Sequence, residues 1–291
     1  LDRTPSSSIS GALRGIGMSI VHREGSSTLT EPFHWSMHPS GNPTDLSPSM
    51  PALVEMQKEV REHFGWDESE DINSAERLLR RVESSQVAHW SRHYRDVALS
   101  KLYRRLVLRE AKVAIIGAAI EPEEVHALLD GTTMIVAADG AAGVISELPR
   151  TVSEKAWSRV SCVVSDGDGG DGTLLSVRRA IPIILHAHGD NRDDWSHLID
   201  YAESQTSPPE LVLTHQSTSA IPGMHNPGGF TDGDRAACLL TALGVSRDNI
   251  RIYGARTDIV GRWSGSTHQP TKIEKLQWME KSLRIQGLWD D

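Results

Sequence analysis

The chain has 291 residues, 38% of them hydrophobic and 24% charged, and a formal net charge of −9. That length accommodates one large domain or two smaller ones. No apolar run approaches the ~20 residues that cross a bilayer, and no signal-peptide core opens the chain, so neither a membrane partner nor secretion is expected. The acidic balance argues against a non-specific nucleic-acid binder, which needs a basic surface.

Leu1–Thr30 is rich in Ser, Gly and Thr and reads as a flexible arm, with Met18 a candidate start inside it. Residues 31–109 carry Trp, His and charge together with helical signals, which indicates a helical N-terminal subdomain. Asn73–Val82 has helix-spaced apolar residues behind an Asn/Ser cap, and Val97–Arg109 continues in the same manner.

From Ala111 the pattern alternates. Buried strands are expected at Val113–Gly117, Thr133–Ala138, Ser161–Val164, Ile181–Leu185, Leu211–Thr214 and Asn249–Tyr253. Helices are expected between them at Glu121–Leu129, Thr173–Ala180, Asp193–Glu203 and Asp232–Leu243, with a closing helix over Thr271–Leu288. The class is therefore α/β, a Rossmann-like, mostly parallel sheet flanked by helices, with residues 110–291 as the catalytic domain. Right-handed crossovers place the strand C-termini on one rim, where open α/β sheets bind ligands.

Chemistry-bearing residues gather at those strand ends. His186-Ala-His-Gly-Asp-Asn191 puts two His, an Asp and an Asn directly after an apolar strand. Imidazole serves there as acid, base or charged donor, and Asn191 and Asp193 are placed to begin the next helix, whose N-terminus favours anions. Asp166, Asp168 and Asp171 follow another strand among glycines. They suit Mg²⁺, which takes carboxylates together with phosphates, and equally suit a solvated acidic turn. Asp139 follows a third strand, either as a strand-to-helix cap or as a rim acid. Thr231 or Asp232 caps a later helix. Arg235 in its first turn opposes the dipole preference for acids, as an anion site would require. No Walker loop and no Gly-x-Gly-x-x-Gly follows the first strand. Cys162 and Cys238 form no framework, so a reducing cytoplasm is expected.

Ile115-Ile-Gly117, Ala138-Asp-Gly-Ala141, Val163-Val-Ser-Asp-Gly-Asp-Gly169, His186-Ala-His-Gly-Asp-Asn191 and Gly228-Gly-Phe-Thr-Asp-Gly-Asp-Arg-Ala236 together resemble the archaeal-type 6-hydroxymethyl-7,8-dihydropterin pyrophosphokinases. That family is related in fold to the catalytic domain of thiamin pyrophosphokinase. The likeness runs from Ala111 to about Lys275 and leaves Glu31–Arg109 unexplained. The loop Gly117-Ala-Ala-Ile-Glu-Pro122 departs from the glycine- and serine-rich form expected there.

The resemblance implies transfer of diphosphate from ATP to the hydroxymethyl group of a reduced pterin, with release of AMP, in folate- or methanopterin-type biosynthesis. It implies Mg²⁺ as cofactor, held by Asp166, Asp168 and Asp190. His188 contacts the transferred group, Asp190 and Arg235 act beside it, and Arg235 neutralises phosphate charge. Asp139, Gly140, His186, Asn191, Thr231, Asp232 and Asp234 complete the pterin and ATP sites, with Asp139 or Asp232 facing the pterin ring. Partners are thus ATP and a reduced pterin, and a homo-oligomer stays open. Four rivals also stay open: a metallohydrolase using His186, His188 and Asp190, with His215 and His225 as further ligands; a thiamin pyrophosphokinase, though no second β-domain is evident; a non-catalytic nucleotide-binding module; and a related glycosyltransferase-like protein. The eight tryptophans read as core or interface residues.

Overall fold

A computed structural model describes residues 46–265 and 269–289. The expected arm at 1–30 lies outside the described residues. Six strands run in parallel in the order β5-β4-β3-β2-β1-β6. They are β1 (Val113–Ile116), β2 (Met134–Ala138), β3 (Val160–Ser165), β4 (Ile183–Ala187), β5 (Leu211–His215) and β6 (Ile250–Tyr253). The inner strands β1 to β4 are buried along almost their whole length and apolar except at Ser161, Ser165 and His186, because helices cover both faces of a parallel sheet. Their side chains still divide by a period of two. Ala114, Ile116, Ala137, Val163 and Leu185 face one core, and Val113, Ile115, Val136, Cys162 and Val164 face the other.

Each core has its own helices. α4 (Pro122–Leu128), α5 (Arg150–Arg159), α6 (Gly170–Arg178) and α7 (Arg192–Glu203) follow β1 to β4 and share the first core. After β5 the chain recrosses the sheet through α8 (Asp232–Leu243) to lay β6 beside β1, and α8 joins the second core with the closing helix α9 (Gln269–Ile285). The strand order therefore reverses between β1 and β6, which opens a crevice at that end of the rim.

The segment before β1 supplies α1 (Ala52–Phe64), α2 (Glu68–Glu83) and α3 (Arg92–Leu106). Ala75, Leu78 and Val82 of α2 belong to the first core, and Leu99, Leu102 and Leu106 of α3 to the second. These helices thus share their cores with the sheet. Helix α2 begins five residues before Asn73. Its cap is Asp67, whose carboxylate accepts the Ser69 N–H at 2.9 Å, while Asn73 lies mid-helix and accepts from Arg77. Helix α6 starts at Gly170, ahead of the expected Thr173, so Asp171 sits exposed in its first turn. Helices α1 and α5 and the 3-10 segment Asp139–Glu147 were not anticipated. Both cysteines are buried free thiols, and burial pushes Cys162 up to about 12. Among the described residues no helix is long and apolar enough to cross a membrane.

Two backbones meet closely under the rim. A Cβ on Gly172 would lie 2.2 Å from the Gly140 carbonyl oxygen, and one on Gly140 would lie 2.5 Å from the Trp263 oxygen. Alanine at 172 gains helix propensity worth about 1 kcal/mol, but backbone offers the added methyl no flexible neighbour to displace. Gly172→Ala should therefore lower unfolding stability by about 2–3 kcal/mol in urea titration. Unchanged or increased stability would show that the contact relaxes.

Candidate active site

Because all six strands are parallel, the residues that follow them share one rim. Asp139 follows β2, Asp166 and Asp168 follow β3, His188 follows β4 and Gln216 follows β5. Ligand oxygens of Asp139, Asp166 and Asp168 lie within 4.8 Å of one another. Asp139 is held there in the left-handed region, with φ 49°, a conformation that costs energy for a non-glycine residue and persists only when the surroundings enforce it. The hydroxyls of Ser165 and Thr173 enforce it, donating to Asp139 Oδ1 at 2.5 and 3.0 Å.

The cluster is crowded with negative charge. Burial, with the charges of Asp232, Asp166 and Asp168, pushes Asp139 well above the usual carboxylate range. Asp168 stands at the open edge, where burial of its carboxyl and the charge of Asp166 push it up to about 6. Burial and the charge of Asp166 likewise raise Asp232 to about 7, against the pull of Arg235. Asp166 behaves oppositely. Burial would raise it, but the His188 hydrogen bond and the charges of His188 and Arg235 hold it well below the usual range.

His188 bridges two acids, with Nε2 3.2 Å from Asp166 and Nδ1 2.7 Å from Asp190. Burial disfavours its charge, but these two carboxylates raise it to about 9, so the imidazolium persists at neutral pH. The same His188 hydrogen bond holds the exposed Asp190 at about 2. Asp190 thus turns to His188 rather than to the three clustered acids. His186 is buried and neutral. Burial and the charges of Arg235 and His188 push it well below the usual range, and Nδ1 lies 3.0 Å from the Thr214 hydroxyl.

Arg235 enters from the first turn of α8, 4% exposed. It reaches Asp232 at 3.2 Å, Asp166 at 3.4 Å and the Gln216 oxygen at 3.4 Å, while its buried Nε has no partner. These contacts are long for charge-assisted hydrogen bonds, so the guanidinium keeps donors for an anion.

The remaining expected residues make structural contacts around these groups. Asn191 accepts the His188 N–H at 2.9 Å and donates to the Asp166 and His186 carbonyls at 2.8 Å, tying the β3 and β4 loops together. Thr231 caps α8, and Asp234 accepts the Phe230 and Thr231 N–H groups and the Thr231 hydroxyl; it is 0% exposed. Gly140 contributes close backbone packing.

Other members of the rim carried no motif. Asp71 of α2 accepts the Gly189 N–H at 2.8 Å and the Gln216 amide at 3.1 Å, with Arg61 at 3.6 Å. The N-terminal helices therefore brace the His188 loop. Only their sequence distance from the rim hid them; the buried polar side chains on α1 and α2 were the available signal. Trp66 lines the polar cleft, and Trp263 packs against the first core while lining the apolar one.

Two clefts adjoin at Thr231, Asp232 and Lys272. The first, at the β1–β6 reversal, is lined by Ile115, Ile252, Trp263 and Met279 together with Asp139 and Asp232. The second is polar and holds Asp166, Asp168, His188, Arg235 and Lys275.

A hydrolytic zinc site would need converging imidazoles. Here His186 pairs with Thr214, the Nδ1 of His215 lies 2.9 Å from the Ser217 hydroxyl, and that of His225 accepts the Leu46 N–H. Among the described residues the metal-compatible group is all carboxylate, which suits a hard cation.

Compared with known proteins, the chain is 33% identical over 181 residues to a Pyrococcus furiosus protein named 6-hydroxymethyl-7,8-dihydropterin pyrophosphokinase. The match covers 59% of this chain and 70% of that one. The chain belongs to this family. A protein of the same name from Methanothermobacter thermautotrophicus is 32% identical over 125 residues, covering 41% of this chain and 45% of its own. No family model and no solved structure matches.

The crowding of acids has a measurable consequence. Asp232 is raised in the folded state, so its ionisation opposes folding; this cost is absent below about pH 4 and complete above about pH 7. In metal-free buffer Asp232→Asn should be about 2 kcal/mol more stable than the parent at pH 8 and equal to it at pH 3.5. A variant less stable at pH 8 would mean that the Arg235 pair outweighs the repulsion.

Proposed function

We propose that this chain transfers the β,γ-diphosphoryl group of ATP to the hydroxymethyl oxygen of 6-hydroxymethyl-7,8-dihydropterin, releasing AMP, in the making of a folate- or methanopterin-type cofactor. The observation that carries this is the carboxylate triad Asp139, Asp166 and Asp168 facing Arg235 at the rim of a chain from this family.

The donor set fits Mg²⁺. It is all oxygen, its charges repel one another, and Asp166 Oδ1 is buried without a partner. Asp139, Asp166 and Asp168 would hold the ion, which neutralises phosphate charge when bound. Asp190 takes a different part, keeping His188 charged.

In the reaction the substrate hydroxyl oxygen bonds to the β-phosphorus, the bond from that phosphorus to the oxygen of AMP breaks, and the hydroxyl proton leaves to solvent or to a rim carboxylate. Charge grows on the phosphoryl oxygens and on departing AMP, so positioned cations contribute most. Arg235 offers its free donors to those oxygens. His188, as imidazolium, donates to the transferred group. Asn191 and Asp71 fix the loop that carries it. The apolar cleft beside β1 and β6 takes the flat pterin, with Asp232 toward its ring N–H groups. The polar cleft takes the triphosphate.

With Mg²⁺, ATP and the reduced pterin, the protein should form AMP and pterin diphosphate in equal amounts. ADP in place of AMP would refute diphosphate transfer. Arg235→Ala should lower kcat about 100-fold or more. The His188 charge is present below its raised value and lost above it, so kcat/KM should fall as pH rises through about 9. That limb should vanish in His188→Gln; its persistence would remove His188 from the mechanism.

A further inference from the structure

The motifs leave out two cations of the polar cleft. Lys272 and Lys275 project from the start of α9, which packs against α1 and α8. Lys272 borders both clefts, and Lys275 borders only the polar one. His188 and Arg235 are already engaged with Asp166, Asp190 and Asp232. Among the described residues neither lysine forms an ion pair, although Lys275 lies near enough to favour the charge of Asp190.

An aromatic mount holds the Lys275 ammonium. Its Nζ lies 5.2 Å from the Trp66 ring centroid and 6.0 Å from that of Phe230. Trp66 sits on the short connector between α1 and α2, and its ring stacks on Phe64 at 4.6 Å and 16°. It is 37% exposed, an unusual place for an indole in a cleft whose other walls are mostly charged. A cation over an indole face is attracted by the negative face of the ring. The contact fixes a flexible side chain without consuming its three N–H donors.

We propose that Lys275 binds the polyphosphate end of the nucleotide donor and that Trp66 is its positioning residue. The inference rests on the diphosphate-transfer reading. It gives the N-terminal and C-terminal helices a joint part in nucleotide recognition. Lys275 serves the phosphates rather than the nucleoside because it borders only the polar cleft.

The test uses the full chain. With the pterin saturating, Lys275→Ala should raise the KM for Mg·ATP about 10- to 100-fold, the loss expected for one charge-assisted contact. The KM for pterin should stay within about twofold, and Lys275→Arg should remain near the parent. Trp66→Ala should reproduce part of the defect, Trp66→Phe should restore it, and the Trp66→Ala/Lys275→Ala pair should be no worse than Lys275→Ala alone. An unchanged KM for ATP in Lys275→Ala overturns the lysine assignment. Additive effects in the pair overturn the positioning role. Calorimetry with Mg²⁺ and the α,β-methylene analogue of ATP provides a readout independent of turnover: Lys275→Ala should weaken the analogue and leave AMP unaffected. If the parent releases no AMP, the diphosphate-transfer reading fails. Analogue binding then judges Lys275 alone, with equal affinity in parent and variant overturning it.

Discussion

Mutual repulsion among the rim carboxylates is the constraint on which the site depends. Asp139, Asp166 and Asp168 meet within 4.8 Å, and Asp232 adds its field. Such a group is unfavourable in an isolated protein and becomes favourable with a divalent cation. His188 and Arg235 partly relieve it by holding Asp166 ionised, and Ser165 and Thr173 hold Asp139 in a strained backbone state. The fold thus bears a local cost that binding would offset, a common property of functional sites.

The sheet makes this crowding feasible. Consecutive parallel strands β2, β3 and β4 deliver Asp139, Asp166 and His188 side by side. The return crossover brings Arg235 over the same rim at the start of α8, and the reversal between β1 and β6 opens an apolar cleft next to the charged one. The helices before β1 complete the arrangement, since Asp71 anchors both the Gly189 backbone and Gln216.

Much of this was legible in the sequence. The six apolar runs located all six strands because strands buried on both faces leave continuous signals. Polar residues after those runs marked Asp139, Asp166, Asp168 and His188 as candidates, and the cation in the first turn of α8 marked Arg235; the fold brings these five to one rim. What the sequence hid was pairing across distance. Asp190 and Asp139 both follow strands, and spacing alone does not say that one turns to His188 while the other joins the acids. Asp234 looks like a rim acid in the string Thr-Asp-Gly-Asp-Arg, yet its oxygens cap α8. Asp71, Trp66 and Lys275 lie on the helices α2 and α9 or on the connector before α2, outside the motifs, and reach the rim only through tertiary packing. The cap of α2 was misplaced because Asn73 and Ser74 are also ordinary helix-interior residues when their side chains find partners, here Arg77 and Trp195.

The central claim is that Asp139, Asp166 and Asp168 form one divalent-cation site that works with a bound polyphosphate. Titration of the protein with Mn²⁺, followed by electron paramagnetic resonance with and without the α,β-methylene analogue of ATP, tests it directly. The account predicts one site that tightens when the analogue is present, shows coupling to its phosphorus nuclei, and is lost in Asp166→Asn. Mn²⁺ binding of equal strength in that variant, or binding indifferent to the analogue, would contradict it.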